Sequence, residues 1–289
     1  MMPAIVKPVC IPFAFLVSLL PVGVGAQTTN VPPVLAAPVS ARVAALGNAW
    51  VAGRDPDVVF SNPAQLVGVR PDLGLSVAHL APEQSMGALA SIYAAGKLSF
   101  TLGWGGALLT QGDANPPSAL GVVAGAVTYK GFRAGASGKY VSDNEADLIR
   151  HAWLTDLGIA RNLFGGVIGG ALQNIGVRDV TGTAGGEIPK QVSVGWSTTK
   201  QAGPLDLGLF TQVSSRKDHT APAAGLEVGY GWIDGYLITL RAGARRPDRP
   251  GEGSASLGAA LTADRLTIEY ALQGFDEGHR AQWVTVRWR

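Results

Sequence analysis

Charge is the first scarcity in this sequence: Asp, Glu, Lys and Arg together make up 15% of its 289 residues, against ~25% in a typical soluble domain. Something other than water therefore covers part of the surface. The formal net charge of +2, carried by dispersed Lys and Arg, excludes a groove that neutralises many phosphates, and with it a nucleic-acid partner. Cysteine is limited to Cys10. It lies in a segment read below as a cleaved signal, so neither disulfides nor thiolate chemistry are expected of the mature chain.

Long apolar runs are also missing. Past Gln27 no window approaches the ~18–20 apolar residues of a membrane-spanning helix, although the mean hydropathy is +0.20. A helical membrane bundle is excluded. Residues 1–26 carry Lys7, an apolar run from Ile11 to Val22 and small residues ending at Val24-Gly25-Ala26, the pattern of a secretory signal cut before Gln27. A membrane anchor fits less well, because that run is short and holds Pro12 and Pro21.

The marks of catalysis are absent too. No Gly-x-Ser-x-Gly elbow occurs. The segment GFRAGASGKY departs from a phosphate loop at Arg133 and Tyr140. His79, His151, His219 and His279 fall at or near expected loops without metal-ligand spacing, and are read as solvated loop residues. No enzyme activity, metal or cofactor is expected.

What is present is glycine, 39 residues of it, within a pattern of period two. Alternation places successive side chains on opposite faces of a strand. Leu266, Ile268, Tyr270 and Leu272 share one face, with Arg265, Thr267, Glu269 and Ala271 on the other. The same reading sets Tyr236, Ile238, Leu240 and Ala242 against Thr239 and Arg241, Leu226, Val228, Tyr230 and Trp232 against Glu227, and Val284, Val286 and Trp288 against Thr285 and Arg287. The face opposite the apolar one is mostly small residues, which suits an enclosed lumen better than the wet face of a sandwich.

The segments number about fourteen, and their junctions alternate. Short ones (AAGK, YKGFR, RNLFGG, KQAGP, WIDGY, TADR) exchange with longer polar ones (TQGDANPPS, SDNEADLIRH, VRDVTGTAGGEIPK, SSRKDHTAP, RRPDRPGEG, FDEGH). Short periplasmic turns and longer external loops predict an all-β, transmembrane antiparallel β-barrel. Tyr129, Phe132, Phe164, Trp232, Tyr236 and Trp288 gather near the short turns, as an interfacial girdle requires. Asp206, Glu227, Arg241, Arg265, Glu269 and Arg287 fall on the presumed lumen side, as a paired network bracing the interior or as a polar track for a solute. On the lipid face an Arg at mid-bilayer would cost ~2–4 kcal/mol.

Residues 40–70 break the period. Ala41 to Ala52 reads as a short helix capped by Ser40, and Asp55-Pro56 and Asn62-Pro63 start turns. The domains expected are therefore a signal at 1–26, a plug segment at 27–70 and a barrel at 71–289. The stretch ARVAALGNAWVAGRDPDVVFSNPAQL resembles the opening of the PorV/PorQ proteins, related to the FadL-type (OmpP/TodX) outer-membrane barrels: an Ala-Leu-Gly-Gly-Ala-Phe-Val-Ala run, an Asp-rich bend and a Trp-Asn-Pro-Ala-Gly-Leu corner. Asn48, Ser61 and Gln65 depart from that pattern. Further echoes run in order to the closing LTIEYALQGFDEGHRAQWVTVRWR.

The resemblance implies fourteen strands, with a plug anchored by Asn62, Pro63 and Ala64 in the periplasmic mouth. It also implies residence in outer-membrane lipid after handling by the assembly machinery, though the chain ends Trp288-Arg289 rather than in an aromatic residue. Two roles follow: transport of small hydrophobic molecules, or type IX secretion in which the barrel binds or tethers exported proteins. A structural protein with a closed lumen is the third.

Overall fold

A computed structural model describes residues 31–289 apart from 82, 96–99, 113–115, 146–147, 182–187, 218, 249–251 and 276–277, and no side chains at 94–95, 144–145, 148–150 or 177–181. The expected signal, residues 1–26, lies outside the described residues. Fourteen strands follow one another: β1 Asp72–Ala81, β2 Gln84–Ala95, β3 Phe100–Gln111, β4 Ser118–Tyr129, β5 Phe132–Glu145, β6 Leu148–Leu163, β7 Gly166–Thr181, β8 Gln191–Ala202, β9 Leu205–Arg216, β10 His219–Ile233, β11 Tyr236–Arg245, β12 Glu252–Ala263, β13 Leu266–Phe275 and β14 Arg280–Trp288. Each pairs antiparallel with its neighbours in sequence. The ladder closes where β1 meets β14, with Leu75 opposite Val286 and Val77 opposite Val284. Closure leaves no edge, so every strand finds a backbone partner within the sheet.

The facing read from period two holds along the wall. On β14, Val284, Val286 and Trp288 are exposed while Trp283, Thr285 and Arg287 are buried. On β13, Ile268 and Tyr270 look out while Thr267, Glu269 and Ala271 look in. The outer surface is a continuous apolar band that includes Val77 at 68% exposure, Trp153 at 69% and Leu257 at 63%. Water would not tolerate so large a patch; acyl chains do.

The two ends differ. At one, strands join through two-residue turns such as Lys130-Gly131 and Phe164-Gly165, whose positive φ values (48° and 80°, 53° and 69°) match the twist of a hairpin. Tyr129, Phe132, Phe164, Trp232, Tyr236 and Trp288 are all exposed beside this end. At the other, the expected long loops are partly strand. SDNEADLIRH is almost wholly absorbed, since β5 runs to Glu145 and β6 starts at Leu148, and VRDVTGTAGGEIPK and SSRKDHTAP are shortened likewise. Polar residues extend a ladder as readily as apolar ones once it is nucleated below them, so polarity marked the end of the apolar band rather than the end of the strand.

The segment before β1 fills the barrel. It comprises α1 (Pro33–Ala36), α2 (Ala41–Ala45) and two 3-10 turns, Pro56–Phe60 and Pro63–Leu66. Ser40 caps α2 by accepting from Val43 N, but the helix ends at Ala45 rather than Ala52. Gly47 and Asn48 take positive φ there, and a methyl on Gly47 would stand 2.9 Å from the Ala244 backbone. Contact with the wall, which no local propensity records, stops the helix. Asp55 and Asn62 each cap a 3-10 turn whose first residue is proline, the position where a missing N–H costs nothing.

Candidate functional site

The lumen is the site, and charge organises one side of it. Arg42, Asp55 and Asp57 come from the plug; Glu227, Arg241, Glu269 and Arg287 point inward from β10, β11, β13 and β14. Arg42 meets Glu227 at 2.9 Å and Asp55 at 3.6 Å. Arg241 joins Glu227 at 2.7 Å to Glu269 at 3.1 Å. Arg287 joins Glu269 at 3.1 Å to Asp55 at 3.5 Å and also pairs with Asp57. Ser40 donates to Asp57 Oδ2 at 2.5 Å, and Trp50 Nε1 donates to Asp55 Oδ1 at 3.1 Å.

Three guanidiniums therefore face four carboxylates in a nearly dry space, with Arg287 and Asp55 each 1% exposed. Burial pushes the Asp55 carboxyl up to about 6, with Asp57 adding to the push and Arg287 and Arg42 opposing it. Arg42 ends above its ordinary value: burial works against its charge, but Glu227 and Asp55 outweigh it. Four of the six charges expected on the lumen side thus meet in one cluster. Asp206 faces the lumen near the start of β9, packed beside Gly229, outside the cluster. Arg265 stands exposed in the β12–β13 turn, not in the lumen. Alternation carried one residue too far assigned it inward, because the turn replaces the strand at Asp264.

On the other side the plug offers mainly neutral groups. Asn62 Nδ2 donates to the Val51 carbonyl at 2.8 Å, and Asn62 Oδ1 accepts from Ala64 N at 3.1 Å. The corner presses on Gly135, Gly158 and Gly169; a methyl on Gly158 would overlap Asn62, and one on Gly135 would lie 2.6 Å from Ala64 N. Glycine here lets backbone approach backbone. Lys139 and Gln173 both donate to the Phe60 carbonyl at 3.2 Å, and Ser197 donates to Ala52 O at 2.7 Å. Gln212 accepts from Trp50 N and Val51 N.

The plug is not confined to one mouth. Pro63 and Ala64 lie against Gly135, near the two-residue turns, whereas Ala36 and Ala37 lie with Leu80, Ala81 and Phe275 at the opposite end. Among the cavities that remain, two adjoin Ala36 and Ala37. One of about 90 Å³ is lined by Val34, Leu35, Val43, Trp50 and Phe60 on the plug side and reaches Gln173, Asn174 and Gln191 on the wall. A second of about 200 Å³ lies among Leu80, Phe275 and Trp283, with Asp248 and Glu252 at its edge. Ala36 and Ala37 line both and partition them.

The wall has a defect where the first cavity reaches it. β7 carries an extra residue there, Gln173 and Asn174 standing opposite the single Asp156 of β6; Asp156 binds Lys139 at 2.5 Å and accepts from Asn174 N at 3.0 Å, while Asn174 takes φ +60°. Beyond that bulge β7 stays with β6 as far as Thr181. Its pairing with β8 ends at Gln173 opposite Gln191. β8 is paired with β7 from its first residue, so among the described residues β7 runs on past β8 beyond the bulge. No sequence signal pointed to the bulge, since a bulge depends on one inserted residue within otherwise regular alternation. Nor is every histidine a solvated loop residue: His219, on β10, is buried with Nε2 3.1 Å from Asp248 Oδ1.

No protein-family model matches the chain, and no curated protein sequence does. Among solved structures, the TodX monoaromatic hydrocarbon channel (ΔS2 mutant) aligns over 80% of this chain and 92% of its own, with a TM-score of 0.54 and 10% identity. That likeness is one of fold. The KdgM porin in complex with disordered oligogalacturonate (TM-score 0.38, 10% identity) and a mutant of the Rh. blastica porin (0.37, 12%) each cover 75% of this chain and 98% of their own.

Proposed function

We propose that this barrel resides in the outer membrane and passes small, predominantly apolar molecules, held shut at rest by its own N-terminal segment. The observation that carries the reading is the line of spaces: an outer cavity on Trp283 and Phe275 and an inner one on Trp50 and Phe60 that reaches Asn174 on the wall. Apolar side chains beside convergent polar groups are the usual character of a small-molecule site, and the inner space sets Val34, Trp50 and Phe60 against Gln173, Asn174 and the charged Asp57, Lys139 and Arg216. The inner space, about 90 Å³, falls below the ~150 Å³ apolar cavity that accepts benzene. Passage therefore requires movement of the Ala36-Ala37 partition.

The TodX barrel, whose fold this chain shares, is a hydrocarbon channel, which supports the same class of solute here. A cargo-binding role of PorV/PorQ type would call for a broad external platform; the joins between β1 and β2 and between β9 and β10 span only 82–83 and 217–218. Apolar solutes cross plain phospholipid unaided, so the assay needs a lipopolysaccharide outer leaflet. Cells expressing the protein are expected to take up toluene several-fold faster than cells without it and glucose no faster. Equal toluene uptake in the two strains would overturn the reading.

A further inference from the structure

The end of the barrel with two-residue turns holds a feature that passage of apolar solutes does not use. Arg133 points inward near the start of β5 and is 7% exposed. Every other well-buried guanidinium among the described residues, at positions 42, 216, 241, 245 and 287, has a carboxylate partner. Arg133 instead donates to the Asn162 Oδ1 amide oxygen at 3.2 Å, and among the described residues no carboxylate pairs with it. Its charged neighbour is Arg54 of the plug, another cation, which raises rather than lowers the need for a counter-charge. Arg54 is exposed and packs over Gly68.

Between Arg54 and β8 lies an open cavity of about 570 Å³, lined by Arg54, Asn162, Phe164, Ser197, Thr198 and Thr199, with Arg133 behind Asn162 rather than on the lining. Asn162 uses its oxygen on Arg133 and keeps its two amide donors for a ligand. Thr199 adds a hydroxyl, whereas those of Ser197 and Thr198 are spent on the Ala52 and Gly165 carbonyls. A buried, unbalanced cation behind an exposed one, with neutral donors between, is a receptor for a negative oxygen group.

We propose that this mouth is an anion site, in which Arg54 and the Asn162 amide hold one carboxylate or phosphate group of a small molecule and the charge of Arg133, behind Asn162, adds to the attraction. The site is independent of the apolar route, although the two would serve one solute if that solute carried an ionised head. Titrating the detergent-solubilised full-length protein with benzoate and, separately, with inorganic phosphate distinguishes the sources. Saturable binding of benzoate alone assigns the site to an aromatic acid, binding of phosphate to a free oxyanion, and either supports the proposal. R54Q is expected to weaken that binding about tenfold or more, equivalent to one lost charge-assisted contact, and R133Q to weaken it by less. R161Q, on an outward residue stacked over Phe132, should leave it unchanged. Heat-dependent mobility on a denaturing gel reports whether R133Q still closes its barrel, and R54Q, at an exposed position, carries the test if it does not. No saturable binding of either probe by the wild type, or binding unaltered in R54Q, overturns the proposal.

Discussion

The plug is held by two kinds of chemistry on its two sides, and the difference says which side is fixed. Toward β10–β14 the plug contributes its own charges, Arg42, Asp55 and Asp57, to a network completed by Glu227, Arg241, Glu269 and Arg287. Toward β5–β8 it contributes carbonyls, the Asn62 amide and the exposed Arg54, which meets no carboxylate among the described residues; Lys139 and Asp156 there pair within the wall, and Arg133 bonds Asn162. Separating a buried ion pair is far costlier than exchanging a neutral hydrogen bond for one to water. The charged side is the anchor. The neutral side, toward β5–β8, is the one free to move.

The largest expected effect comes from breaking the anchor. Arg287→Met leaves Asp55, Asp57 and Glu269 buried without their shared cation, at a cost of ~3–5 kcal/mol, and should accelerate tryptic cleavage after Arg42 by orders of magnitude while the barrel stays closed. Asn62→Ala removes the cap on Ala64 and the bond to Val51 O, worth ~1–2 kcal/mol; faster amide exchange confined to residues 50–66 is the signature to look for. The paired change Lys139→Met with Asp156→Asn sharpens the comparison. It dismantles the wall's own ion pair but takes from the plug only one bond to Phe60 O, so the seated plug should lose ~1 kcal/mol or less. Cleavage after Arg42 as fast as in Arg287→Met would erase the distinction between the two sides.

A further effect is that of pH. Asp55 titrates near 6 in the folded state, above its ordinary value, so the seated plug binds a proton that the released plug has already lost. Seating should strengthen as pH falls from about 7 through 6 and level off near the ordinary carboxylate value. Asp55→Asn should flatten that slope, measured as the pH dependence of the same cleavage.

Much of the wall was legible in the sequence because period two is enforced at every strand by lipid on one side and packing on the other. Glu227, Arg241, Glu269 and Arg287 were assigned inward by alternation alone. Their partners were not, because Arg42, Asp55 and Asp57 lie some two hundred residues away in chain numbering and no local pattern links them. Strand ends were misjudged where polar residues continue a ladder, as in SDNEADLIRH, and Arg265 was misassigned at a turn. The Asn62-Pro63 corner read correctly as a turn, but its place against Gly135, Gly158 and Gly169 depends on which strands become neighbours. The bulge at Asn174 and the guanidinium of Arg133 without a carboxylate are legible only once those neighbours are known.

Conductance in a planar bilayer, with the wild type and Arg287→Met measured side by side, tests the central claim most directly. The account predicts an almost silent wild type, because the plug fills the lumen, and discrete ion-conducting openings in the variant. A wild type that conducts like an open pore, or a variant as silent as its parent, would contradict it.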